Sequence, residues 1–164
     1  MSRSLSNVIL GLLFVVIAGC GFHLRGSANL PDSLKTMYIQ GVNLQQGLGL
    51  ELKRSLVSND VKIMSDYQSG IAVLTMLDNK FERRVLSVGS DAKVSEYQLY
   101  GSLQYKLTDN NGQVIIESES LEAVRDYRFD QNQVLAADQE EAQLRQALNE
   151  QLVQSLLRRL SVLK

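Results

Sequence analysis

Between Val94 and Thr108 the chain alternates with a period of two. Tyr97, Leu99, Leu103, Tyr105 and Leu107 point one way, and Glu96, Gln98, Ser102, Gln104 and Lys106 point the other. A helix would scatter these residues around its axis, whereas a strand with one packed face and one wet face places them as the pattern demands. Asp109-Asn110-Asn111-Gly112 then supplies a turn, with Asn111-Gly112 suited to positive φ, and Gln113 to about Tyr127 returns as the partner strand. The period slips between Glu117 and Ser120, which predicts a β-bulge there. Any fold open to this chain must therefore contain a long antiparallel hairpin with one face buried.

The flanking segments say what covers that face. Thr36-Met37-Tyr38-Ile39-Gln40 is a short β-rich run ending at Gly41. Asn43 is placed to cap a helix whose Leu44, Leu48, Leu52 and Leu56 recur every four residues, with Gly47 and Gly49 weakening its first turns. Ile71 to Leu77 is apolar on both faces, which predicts a central strand covered on both sides. Val134 to about Leu160 forms a long helix with a stripe of Leu144, Leu148, Leu152, Leu156 and Leu160, joined by Ala147, Val153 and Leu157. Glu140 and Glu141 lie near its start and Arg158 and Arg159 near its end, as the helix dipole favours. Two helices with single apolar stripes need a sheet face to bury against. The expected fold is α+β: a two-layer sandwich with an about four-stranded, mostly antiparallel sheet and both helices packed on one face.

The start of the chain has a different character. Arg3 precedes an apolar run from Val8 to Ile17, and small residues Ala18 and Gly19 lead to Cys20, the pattern of an export signal. The run stops short of the roughly twenty apolar residues that a spanning helix needs. Ile17-Ala18-Gly19-Cys20 resembles the bacterial lipobox, so residues 1–19 are expected to be a cleaved signal peptide. Cys20 would then carry an S-diacylglycerol and an N-acyl chain, and residues 20–164 would form a single domain entered through a lipidated tether, 20–34. Each buried methylene contributes about 0.8 kcal/mol, so three chains hold a protein on a membrane essentially permanently. Gly21 follows the cysteine where an Asp would resemble an inner-membrane retention signal, which points to the periplasmic face of the outer membrane.

Composition removes several chemistries. One His and one Cys cannot assemble a Cys/His zinc cluster, a Cys–His or Ser-His-Asp site built from several histidines, or an internal disulfide. A net charge of −1 argues against nucleic acid as a partner. No phosphate-binding loop, H-E-x-x-H or G-x-S-x-G pattern is present, and the pairs Glu117/Glu119 and Glu140/Glu141 lack the separated environments that acid–base catalysis requires. No cofactor and no metal are expected.

Several stretches of the mature region together resemble one family, the LPS-assembly lipoprotein LptE (RlpB). They are Cys20-Gly21-Phe22-His23-Leu24-Arg25-Gly26, Leu30-Pro31, Lys35-Thr36-Met37-Tyr38-Ile39, Ser95-Glu96-Tyr97-Gln98-Leu99, Leu135-Ala136 with Asp138, and Leu156-Leu157-Arg158-Arg159-Leu160. The resemblance implies a non-catalytic outer-membrane lipoprotein that sits as a plug in the lumen of the β-barrel LptD, supports assembly of that barrel and interacts with lipopolysaccharide. Barrel interiors are polar, and the wet face around Gln98, Ser102 and Gln104 suits such a wall. Lipopolysaccharide carries phosphates, which Lys and Arg bind. The candidates are Lys80, Arg83, Arg84 and Lys93 before the long strand, and Arg125 and Arg128 at the far end of its partner. Tyr127 and Phe129 flank Arg128 as candidate contacts with the barrel, alongside Gln98 and Gln104. Related proteins can carry a basic residue at two places that correspond here to Ser90 and Ala137. The residues leave open a second reading, an accessory or pilotin-type lipoprotein of another outer-membrane assembly machine.

Overall fold

The structure, a computed structural model, describes residues 29–129 and 134–163. The signal peptide and Cys20 lie outside the described residues. A single 3-10 turn at Asp32–Leu34 leads into β1 (Thr36–Gln40), α1 (Gly47–Val57), β2 (Lys62–Met64), β3 (Ala72–Val88), β4 (Val94–Thr108), β5 (Val114–Arg128) and α2 (Val134–Ser161). The sheet order is β2-β1-β3-β4-β5. Strand β1 runs parallel to both neighbours, while β3, β4 and β5 are antiparallel.

The α+β sandwich with two helices on one face is therefore present, with a five-stranded mixed sheet in place of an about four-stranded one. The extra strand, β2, is only Lys62-Ile63-Met64, too short to leave a periodic signal. It lies parallel to β1 because α1 carries the chain back to the same end before β2 begins, the geometry of a β-α-β crossover. Strand β1 ends at Gly41, whose φ of 81° and position against the Met76 carbonyl leave no room for a Cβ. Beyond that point the far half of β3 pairs only with β4.

Three other expectations need correction. The stretch Ile71–Leu77 is not covered on both sides. Ala72, Leu74 and Met76 are buried, but Val73 and Thr75 are half-exposed and Leu77 is exposed beside a register shift at Met76/Asp78. The physical reason is that both helices use the same sheet face, so among the described residues no second layer reaches the other. Helix α1 begins after Gln46 rather than after Asn43, and the Asn43 Oδ1 instead accepts from the Gln45 backbone N–H at 2.9 Å, closing a turn ahead of the helix. The proposed tether reaches too far: Leu30 and Leu34, inside residues 20–34, are core residues.

The hairpin behaves as its alternation requires. Leu99, Leu103, Tyr105 and Leu107 are fully buried. Its turn is held by the Asp109 carboxylate, which accepts from the backbone N–H groups of Asn111 (2.9 Å) and Gln113 (2.7 Å), with Gly112 at φ 82°. The slip in period is a bulge: Tyr105 pairs with Glu119 and Leu107 with Ile116, so β5 carries one more residue than β4 across that interval.

The core lies between the sheet and the helices: Met37, Ile39, Ala72, Leu74 and Met76 from β1 and β3, Leu48, Leu52 and Leu56 from α1, and the leucine stripe of α2. That stripe is uneven. Leu148, Leu152, Val153, Leu156, Leu157 and Leu160 are buried, each contributing about 1.5–3 kcal/mol, whereas Leu144 is only partly buried and most of the preceding described side chains of α2 face solvent. Among the described residues no helix is long and apolar enough to cross a membrane.

Candidate functional site

Because helices cover one face only, residues adjacent in sequence on β3, β4 and β5 are sent to opposite sides of the protein. The open face carries Asp78, Lys80, Glu82 and Arg84 from β3, then Gln98, Tyr100, Ser102 and Gln104 from β4. Opposite these on β5 stand Asp126, Val124, Glu122 and Ser120. The helix-covered face carries Phe81 and Arg83, then Tyr97 and Leu99, then Tyr127 and Arg125. Candidate residues that read as one group therefore divide into two.

On the open face the side chains bond mainly to one another. Gln98 donates to Asp126 Oδ1 at 3.0 Å, and Gln104 to Ser118 Oγ at 2.7 Å. Arg84 pairs with Glu82 at 2.6 Å and lies 4.0 Å over the Tyr100 ring. A hydrogen bond to Glu122 raises the pKa of that ring's hydroxyl above its ordinary value. Lys80 pairs with Asp78 at 2.9 Å, which lowers the carboxyl's pKa. These are exposed pairs and add little stability. Arg128, opposite Glu96, stands near the β3–β4 turn that carries Ser90 and Lys93, whereas the Arg84 guanidinium turns back toward Glu82 and Tyr100. Lys93 and Arg128 each lean on a carboxylate at the long distance of 3.9 Å, to Asp91 and Glu96. Lys80 and the two arginines Arg83 and Arg84 lie within β3 rather than in the loop, so only Lys93 is a turn residue.

On the covered face the expected ligands serve the fold. Arg83 donates from Nη1 to Glu141 Oε2 at 3.0 Å, which raises the pKa of the guanidinium. The Tyr127 hydroxyl donates to the same oxygen at 3.0 Å, and burial, then the Glu141 carboxylate, pushes its pKa up. Arg145 approaches the other Glu141 oxygen at 3.8 Å and lies 3.8 Å over the Phe81 ring. Tyr97 packs on Tyr127 and Phe129 with ring centroids 5.8 and 5.2 Å away. Tyr127 is only 6% exposed, so it and Phe129 belong to this inner cluster and share no surface with Gln98 and Gln104. Arg83, Asp138, Glu141, Ala142 and Arg145 line an open cleft of about 360 Å³. Ala137 is buried in the first turns of α2, whereas Ser90 is exposed at the hairpin turn.

Neither Arg145 nor the role of Glu141 stands out in the sequence. The (i, i+4) spacing of Glu141 and Arg145 was the available signal, but it marks an exposed helix pair as readily as a tie to a sheet. A second tie, also absent from the candidates, joins Arg159 to Glu119 at 2.5 Å, with the Tyr105 hydroxyl donating to Glu119 at 3.1 Å. Among the described residues no group of three or more His, Cys, Asp or Glu side chains is placed to hold a metal ion.

The chain resembles known proteins over nearly its whole length. Residues 34–160 match the family model LptE, described as lipopolysaccharide-assembly. An LPS-assembly lipoprotein LptE from Photorhabdus laumondii is 32% identical over 165 residues, covering 98% of this chain and 87% of the relative. One of the same name from Pectobacterium atrosepticum is 32% identical over 166 residues, covering 98% and 86%. Among solved structures, an uncharacterized lipoprotein B from Nitrosomonas europaea superposes with a TM-score of 0.69 at 25% identity, covering 86% of this chain and 90% of that one. With the same sandwich and a family match that spans every described strand and helix but the first turn and the last residues, this chain belongs to the LptE family of lipopolysaccharide-assembly lipoproteins.

Proposed function

We propose that the protein is a non-catalytic outer-membrane lipoprotein, tethered through acylated Cys20, that occupies the lumen of the LptD β-barrel, supports its assembly and takes part in lipopolysaccharide insertion at the cell surface. The observation that carries the reading is the uncovered sheet face from β3 to β5. It is long and mostly polar, and most of its charges are already partnered. A surface of this kind meets a polar wall without leaving a lone charge buried, and the interior of a large barrel is such a wall. Gln98 and Gln104 are its central contacts.

The cationic candidates for lipopolysaccharide narrow on the same geometry. Arg83 is engaged by Glu141 and Arg84 by Glu82, whereas Lys93 and Arg128 lie near the hairpin end and are held only loosely by their carboxylates. A phosphate competes readily for donors held at 3.9 Å. Photo-crosslinking residues placed in living cells at Gln98, Lys93 and Arg128 test both halves. Adducts at Gln98 with a large barrel protein, and at Lys93 or Arg128 with lipopolysaccharide, are expected. Crosslinks from Gln98 to a secretin or to the barrel-insertion machinery would replace the plug reading with the accessory one. Mass spectrometry of Cys20 from native envelopes tests the anchor, and an unmodified thiol would end that part of the proposal.

A further inference from the structure

Helix α2 is held to the sheet in two unlike ways along its length. From Leu148 onward it is fastened by buried leucines and valine. Between Ala137 and Ala147 only Ala137 is buried, Leu144 and Ala147 are partly so, and seven of the eleven side chains face solvent. What holds this half is polar: Glu141, its side chain 19% exposed, receives Arg83 and Tyr127 from the sheet and Arg145 from its own helix. Beneath it lies an aromatic floor of Phe81, Tyr97, Tyr127 and Phe129.

We propose that residues 137–147 form a flap, latched by Glu141, which lifts from the sheet independently of residues 148–161 and bares the aromatic floor. Segments with few buried apolar contacts and water-accessible polar ties open at lower cost than the core beside them. Water reaches this latch. Arg83 and Arg145 are about half exposed and border the open cleft, so solvent can take over their donors as the helix leaves. The opposite tie is built differently, because the Tyr105 ring under Glu119 is fully buried and the apolar stripe continues above it. The break falls where the last solvent-facing residue before the stripe, Gln146, gives way to Leu148. A lifted flap frays, opening its own backbone hydrogen bonds, without disturbing the leucines that keep the rest in place.

Hydrogen exchange on the full chain, resolved to peptides of α2, reads the flap directly. Glu141→Ala is expected to raise exchange about tenfold at residues 141–147 and to leave 150–159 within twofold of the parent. Equal acceleration along the whole helix, or none at 141–147, overturns the proposal. Arg83→Gln removes one arm of the latch from the sheet side and is expected to give a smaller rise confined to the same residues, which keeps the test valid if Glu141→Ala folds poorly. Hydroxyl-radical labelling supplies an independent reading. In Glu141→Ala, labelling of Tyr127 should rise severalfold while Tyr105 stays unlabelled. Unchanged protection of Tyr127 would show that the floor is never bared.

Discussion

At the C-terminal end of α2 the helix supplies an arginine, Arg159, and the sheet supplies the carboxylate and phenol of Glu119 and Tyr105. Near the N-terminal end the roles are exchanged: the helix supplies Glu141, and the sheet supplies Arg83 and Tyr127. The helix dipole accounts only for the C-terminal half of the exchange: Arg159 lies in the last turn, whereas Glu141 stands about two turns in from the start, beyond the dipole's reach. The surroundings differ more than the chemistry does. Tyr105 is enclosed by core, whereas the Glu141 cluster borders an open cleft. Similar polar triads can therefore be a permanent weld or a releasable latch, and the apolar packing beside each decides which.

The sharpest way to break this comparison is to remove the packing itself. Leu152→Ala or Leu156→Ala, each at a fully packed position, should cost about 2–5 kcal/mol. Leu144→Ala, on the same stripe but only partly buried, should cost about 1 kcal/mol or less. Equilibrium urea unfolding of the variants measures the difference, and similar losses at Leu144 and Leu152 would contradict the division of α2 into two halves.

The carboxylates come next. Glu119→Ala strands the buried Tyr105 hydroxyl without an acceptor, a loss of about 2 kcal/mol. Glu141→Ala leaves Arg83 and Arg145 to water, with the Tyr127 hydroxyl losing its acceptor at the edge of the open cleft where water can replace it, and should cost about 1 kcal/mol. Both are read from unfolding midpoints at constant slope. A larger loss from Glu141→Ala would mean that the N-terminal tie, not the C-terminal one, secures the helix.

Alkaline pH sharpens the same contrast. Burial, and then Glu119, pushes the Tyr105 pKa well above its ordinary value of 10.0, and Tyr127 is raised in the same direction by burial and Glu141. Below pH 10 both phenols are protonated in the folded and the unfolded chain, so their full contribution is present. Above it the unfolded chain releases its protons first, and stability falls as the pH climbs toward the raised folded values. Tyr105→Phe should flatten this alkaline decline more than Tyr127→Phe. Urea midpoints between pH 8 and pH 11 test the order, and equal slopes in both variants would refute it.

How much of this was visible beforehand depends on the range of the interaction. Periodicity placed the β4–β5 hairpin, its bulge near Glu117 and the leucine stripe of α2, because each is written in neighbours two to four residues apart. It missed β2, whose three residues have no period, and it covered Ile71–Leu77 on both sides because an apolar residue at the end of a one-layer sheet looks the same as one under a helix. The candidate site suffered most. Lys80, Arg83 and Arg84 read as one basic cluster, yet the pleat sends Arg83 under α2 and leaves the others on the open face. Glu141, which decides what Arg83 does, stands 58 residues away.

That pleat gives the finest test. Arg83 and Arg84 are adjacent in sequence, and each pairs with a glutamate and lies over a tyrosine ring. Composition treats them as equivalent, but Arg84 bonds within its own strand while Arg83 joins the sheet to α2. Arg84→Ala removes an exposed pair from a face that no described helix covers and should change the stability of the isolated protein by no more than about 0.5 kcal/mol. Arg83→Ala withdraws one of two sheet donors from Glu141 and should cost about 1 kcal/mol, most of it lost again when Glu141→Ala is already present. A double-mutant cycle on the unfolding free energy isolates that coupling. A coupling near zero would mean that Arg83, like Arg84, is only a surface charge, and that the covered and open faces differ less than their contacts indicate.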